Sequence, residues 1–96
     1  MPREVQSGIV RLIREKGLVP VGEMLHEFPS PGAFTSAILL AESHVTIHTW
    51  PEERYVSIDI FVCNMSRDFS GDAEAIGTHI VGLFSPEKTE KSILYR

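Results

Sequence analysis

Six side chains able to do chemistry crowd into AESHVTIHTWPEE. Glu42, Ser43, His44, His48, Trp50 and Glu52 fall within eleven residues of what otherwise reads as sheet core. Burying such groups without partners is costly, so they either pair with one another or line a site. The two histidines are four apart, a spacing that on a helix would turn both to one side as metal ligands. The alternation of SHVTIHTW is that of a strand, which sets their Cα atoms roughly 13 Å apart on one face. That is too far for both to hold one metal at bonds of about 2 Å. A serine hydrolase with a histidine base fits no better. Ser43 has no glycine-bracketed elbow, and no acid obviously orients His48. Five apart on a straight strand, the two would also face opposite sides, so a bend or bulge near residues 44–46 would be needed to join them.

The elements that must position these residues follow from the apolar spacing. Val5, Ile9, Leu12 and Ile13 recur at helical intervals between Arg3 and Lys16, with Pro2 at the start and Gly17 as a stop. Leu18 to Phe28 reads as a strand interrupted by Pro20 and Gly22. Pro29, Ser30, Pro31 and Gly32 make the clearest turn. Ala33 to Trp50 is too long for one simple strand. In Tyr55 to Cys63, Val56, Ile58, Ile60 and Val62 share one face, while Tyr55, Ser57, Asp59, Phe61 and Cys63 share the other. The first face suits packing under helices; the second suits a site or a second sheet. Asn64 to Asp72 reads as loop, with Ser70 as N-cap of a second helix whose stripe is Ile76, Ile80, Leu83 and Phe84. Ser92 to Tyr95 could form a last short strand. His26 and His79 are expected on the surface or on a helix face. The order is α-β-β-β-α-β, an α+β fold with an antiparallel sheet and two helices on one face.

Composition bounds the rest. Ninety-six residues, 43% hydrophobic and 23% charged, make one globular domain spanning 1–96. Nine Lys and Arg against thirteen Asp and Glu give a net charge of −4, which argues against nucleic acid as a partner. No apolar stretch approaches the ~18 residues of a membrane span, and the polar start MPREVQSG is unlike a secretory signal. A cytoplasmic protein without membrane contact is expected. The single cysteine excludes an internal disulfide and a multi-cysteine zinc site.

The segment LAESHVTIHTWPEERYVSIDIFVC resembles the core of the bacterial and archaeal S-adenosylmethionine decarboxylases, pyruvoyl enzymes of polyamine synthesis. The likeness covers the E-S-H tripeptide, the IHTWPE block and the strand SIDIFVC, with five residues from Ser43 to His48 and twenty from Ser43 to Cys63. The flanks agree from the first helix through LHEF to the last helix and strand. The resemblance implies a chain that cuts itself between Glu42 and Ser43. Ser43 would attack the Glu42 carbonyl, His48 would take the serine α-proton, and elimination would leave a pyruvoyl group in place of Ser43. Residues 43–96 would form the α chain and residues 1–42 the bound β chain. The ketone would condense with the amine of S-adenosylmethionine and accept the electrons freed as carbon dioxide leaves. Cys63 would return a proton as general acid. By the same resemblance Trp50 and Phe28 would stack on the substrate adenine, Glu52 would bind the ribose hydroxyls, and Thr35 would support processing where the family usually has serine. His44 matches the family without an evident role. No metal is required.

The likeness also has departures. The family usually opens with a further strand, whereas this sequence starts at the helix, so an exposed sheet edge that favours pairing with another chain is expected. Phe28 matches only with a one-residue insertion in PSPGAF. Arg54 stands where glycine is common, and Asn64 replaces a glycine after the cysteine. The expected assembly is a homodimer whose polar sheet faces pack together as a four-layer αββα sandwich. The expected activity is pyruvoyl-dependent decarboxylation of S-adenosylmethionine for spermidine synthesis. The alternatives are a non-processing, non-catalytic paralogue of the same fold, and a pyruvoyl decarboxylase acting on ornithine or arginine.

Overall fold

The protein is described by a computed structural model over residues 2–62, 70–84 and 88–95, with side chains described for 2–62 and 71–83. Helix α1 spans Pro2–Glu15, followed by strands β1 (Pro20–Glu27), β2 (Phe34–Leu40), β3 (His44–Trp50) and β4 (Tyr55–Val62). Helix α2 (Ser70–Phe84) and strand β5 (Lys88–Tyr95) complete the chain. Antiparallel pairing joins β1 to β2, β2 to β3 and β3 to β4, and β5 then lies parallel to β4 in a sheet ordered β1-β2-β3-β4-β5. A parallel neighbour requires a long crossover, and α2 falls within that connection. The described fold is therefore α+β, with four antiparallel strands, a fifth added in parallel and two helices.

The chain has one strand more than its sequence pattern predicts. Ala33 to Trp50 is a hairpin, β2 and β3, turning at residues 41–43, where the Leu40 N–H donates to the Ser43 carbonyl at 2.8 Å. No glycine or proline marks that turn, which is why local turn chemistry did not reveal it. The chain reverses before His44, and β3 then runs without a register shift. The bend at 44–46 that would join Ser43 to His48 within one strand is absent.

Pro20 and Gly22 weaken a strand, and their strand is accordingly an edge, with a register shift between them. The edges of the sheet are β1 and β5, so β4 is paired on both sides.

Alternation divides the sheet as the β4 pattern foretells. Phe34, Ile38, Val45, Ile47, Val56, Ile58, Ile60 and Val62 are buried with Ile9 and Ile13 of α1 and Ala73, Ile76 and Ile80 of α2. Burying each of these larger side chains stabilises the fold by roughly 1.5–3 kcal/mol. Of the expected α2 stripe, Ile76 and Ile80 are buried, joined by Ala73, whereas Leu83 is exposed and the Phe84 side chain lies outside the described residues. One buried polar residue of α1 was not expected. Gln6 accepts a hydrogen bond from the Ser36 hydroxyl and donates to Glu23 at 3.1 Å, tying the helix across β2 and β1. No helix of the described residues is long and apolar enough to cross a membrane.

Candidate active site

The face of the sheet away from the helices carries the chemistry. Thr35 and Ala37 of β2, His44, Thr46 and His48 of β3, and Tyr55, Ser57 and Phe61 of β4 are all half-buried there, while Trp50 and Asp59 are exposed. Met24 and Leu39 add exposed apolar surface. The residues divide between the two ends of the strands.

One end holds a cleft of about 340 Å³, lined among others by Phe28, Thr35, His48, Trp50, Glu52 and Glu53. That volume lies at the lower limit for small-molecule sites. Thr35 and His48 are cross-strand partners, and their Oγ1 and Nδ1 atoms are hydrogen-bonded at 3.0 Å. Ser36, the neighbouring hydroxyl, turns to the helices and is spent on Gln6, so Thr35 alone faces the histidine. The Trp50 ring is tilted against Tyr55 at a centroid distance of 4.9 Å and against His48 at 6.1 Å. Phe28 and His26 meet in a T-shaped contact at 4.6 Å, and His26 is exposed on the sheet, as expected. Glu52 and Glu53 lie in a 3-10 turn, Pro51–Glu53, closed by the Arg54 N–H donating to the Pro51 carbonyl. Arg54 there has φ 51°, a left-handed conformation that glycine adopts freely.

The other end holds the turn with Glu42 exposed and Ser43 half-buried. His44 begins β3, pairs with Leu39 and Phe61, and stacks on the Phe61 ring at 5.5 Å with planes 24° apart. From Ser43 to His48 is five residues of extended chain, roughly 16 Å. Five of the expected site residues are thus gathered at the cleft, and Ser43 stands apart from them within one chain. Cys63 lies outside the described residues; β4 ends one residue before it, at the Ser43 end of the sheet.

Thr49 was not singled out from the sequence. Its hydroxyl donates to the Gly32 carbonyl at 2.8 Å and accepts from the Phe34 N–H at 3.0 Å, pinning the loop between β1 and β2 to β3. The same loop is closed by the Phe28 N–H on the Ala33 carbonyl. Thr49 lies between two residues of the open face, so strict alternation turns it to the core, where a hydroxyl needs partners. That signal was available in the sequence. Thr49→Val should leave both groups short of a partner and lower stability by about 1–3 kcal/mol, whereas Thr49→Ser should retain most of it in chemical denaturation.

Comparison with known proteins gives the family of the chain. The profile of a family described as S-adenosylmethionine decarboxylase matches residues 2–96. This chain belongs to the S-adenosylmethionine decarboxylase family. Among similar proteins, the S-adenosylmethionine decarboxylase proenzyme of Persephonella marina is 44% identical over 98% of this chain and 65% of its own length. The proenzyme of the same name from Archaeoglobus fulgidus is 46% identical over 62% of this chain and 54% of its own. That of Clostridium botulinum strain Hall is 48% identical over half of this chain and 40% of its own. The chain therefore spans less than two thirds of the length of each of these relatives. No solved structure matches it significantly.

Proposed function

We propose that this chain is a self-processing, pyruvoyl-dependent S-adenosylmethionine decarboxylase that works as a homodimer, making decarboxylated S-adenosylmethionine for spermidine synthesis. The observation that carries this reading is the cleft. Phe28, Thr35, His48, Trp50 and Glu52, scattered over 25 residues of sequence, line one cavity.

Ser43 suits the formation of a pyruvoyl group. It follows the exposed Glu42 in a hairpin turn, and the β2–β3 ladder begins beyond it with the pair Leu39 and His44. A cut between residues 42 and 43 therefore removes no pair of that ladder. In processing, the Ser43 hydroxyl adds to the Glu42 carbonyl carbon, and the amide C–N bond breaks as an ester C–O bond forms. A histidine base removes the Ser43 α-proton, and elimination expels the Glu42 carboxylate. The resulting dehydroalanine loses its nitrogen as ammonia, with water supplying the ketone oxygen. The pyruvoyl group so made supplies an electron sink for decarboxylation.

The separation of roughly 16 Å keeps His48 of the same chain from acting on Ser43. Packing two open faces about a two-fold axis perpendicular to the strands reverses one sheet over the other. The turn of one protomer then lies over the cleft of its partner, and the partner's His48 reaches Ser43. Thr35 orients that imidazole by its hydrogen bond. Phe28 and Trp50 offer aromatic faces to the adenine, and Glu52 offers acceptors to the ribose hydroxyls. Cys63 acts as the acid that returns a proton to the product, a role typically worth ~10²–10⁴ in rate. The half-buried state of the open face and its exposed Met24 and Leu39 support the same packing.

Intact mass under denaturing conditions, together with carbon dioxide release from carboxyl-labelled S-adenosylmethionine, tests the proposal. The expected result is two fragments meeting at Glu42 and Ser43, the larger with a blocked N-terminus, and release that depends on the cut. An uncut chain that releases nothing would exclude it. A cut chain that decarboxylates ornithine or arginine instead would assign the substrate elsewhere.

A further inference from the structure

His44 stands next to the scissile bond, and no step of the proposed reaction uses it. It is the first residue of β3 and the first after the cut to be paired on both sides, with Leu39 and with Phe61. Its ring lies half-buried on the open face, stacked on Phe61 at 5.5 Å and 24°. A near-parallel arrangement at that distance is a favourable aromatic contact.

Cutting the chain creates a mechanical problem at this point. Before the cut, residue 43 is held from both directions along the chain. Afterwards it is a terminus, and chain ends fray unless something ties them down. Across the cut the β2–β3 ladder begins at Leu39 and His44, and at residue 43 itself the Leu40 N–H is bonded to the carbonyl. A reacting group displaced by ~1 Å loses on the order of 10²-fold in rate, so the rigidity of the first paired residue after the cut bears directly on the reaction. We propose that His44 is a positioning residue: its stack on Phe61 clamps the start of β3 and so holds the reactive residue 43 in place once it has become a chain end. The ring acts as a flat surface rather than as an acid or base. The inference rests on the self-processing reading above.

Two readouts test it on the cut protein. The first is hydrogen exchange of the segment starting at residue 43, followed by mass spectrometry. The second is kcat for decarboxylation normalised to the fraction of chain cut. His44→Ala should speed exchange over residues 43–47 and lower kcat by about ten- to a hundred-fold, with KM little changed. His44→Phe keeps a stacking ring without an ionisable group and should recover both readouts. Phe61→Leu should mimic His44→Ala, and the double variant should be little worse than either alone. Exchange and kcat in His44→Ala equal to the unsubstituted protein would overturn the clamp. His44→Phe as slow as His44→Ala would overturn it too, in favour of imidazole proton chemistry. An unsubstituted chain that is never cut would overturn the underlying reading and the clamp together, and the intact mass separates that case from the others.

Discussion

Ser43→Ala should leave the protein as one uncut chain with no decarboxylase activity, the largest effect of any single substitution proposed here. The reason is chemical. Without the hydroxyl there is no nucleophile to turn the Glu42–Ser43 amide into an ester, and without the ester there is no carboxylate leaving group for elimination. Direct hydrolysis of the amide would yield two fragments but no ketone. The substitution should cost little in stability, within about 0.5 kcal/mol, because Ser43 lies in a turn outside the core. Its backbone carbonyl, which receives the Leu40 N–H, is kept in alanine. The variant should therefore unfold at nearly the same denaturant concentration as the unprocessed parent. Intact mass is the measurement, and a cut at the same bond in Ser43→Ala would sink the processing scheme.

Mixing two inactive chains should restore cleavage. Ser43→Ala retains His48 but has nothing to cut; His48→Ala retains Ser43 but has no base. Each homodimer should stay whole. In the proposed packing, a heterodimer would place the Ser43 of the His48→Ala chain over the intact cleft of the Ser43→Ala chain, so one of its two junctions would be complete. Co-expression with distinguishable tags should then yield fragments from the His48→Ala chain alone, against a background of none. This follows from the roughly 16 Å of straight strand between the two residues, a span no side-chain rotation covers. Mixed dimers that remain uncut, while the parent protein cuts itself, would mean that Ser43 and His48 meet within one chain after a rearrangement of β3.

The two experiments probe different statements. Ser43→Ala asks what chemistry occurs at the turn. Complementation asks where the base comes from. The cleft itself is described within one protomer: Thr35 and His48 are already hydrogen-bonded, and the loop carrying Phe28 is already pinned by Thr49.

Much of this was legible in the sequence, for a physical reason. Periodicity is local, so the apolar spacing of α1 and the alternation of β4 translate directly into buried faces: Ile9 and Ile13 on one, Ile58 and Ile60 on the other. The unusual residues of ESHVTIHTWPE, at their spacings, carry the family likeness that the matched profile bears out over residues 2–96. The pairing of Glu42 with Ser43 as a cleavage junction came from that likeness alone. No feature of composition or hydropathy singles out that bond.

What only the tertiary structure decided depends on contacts distant in sequence. The turn at residues 41–43 has neither glycine nor proline; pairing of β2 with β3 defines it. Whether Ser36 or Thr35 meets His48 is a matter of register, because a one-residue slip exchanges the two faces. Gln6 reads as an ordinary helix residue until Ser36 and Glu23, 30 and 17 positions away, supply its partners. The separation of Ser43 from His48 likewise became definite once β3 was seen to run straight. Sequence determined which chemical groups this protein holds and which of them alternate together along a strand. Strand register and the uninterrupted course of β3 decided which of them can meet, because backbone pairing sets distances that local residue preferences do not encode.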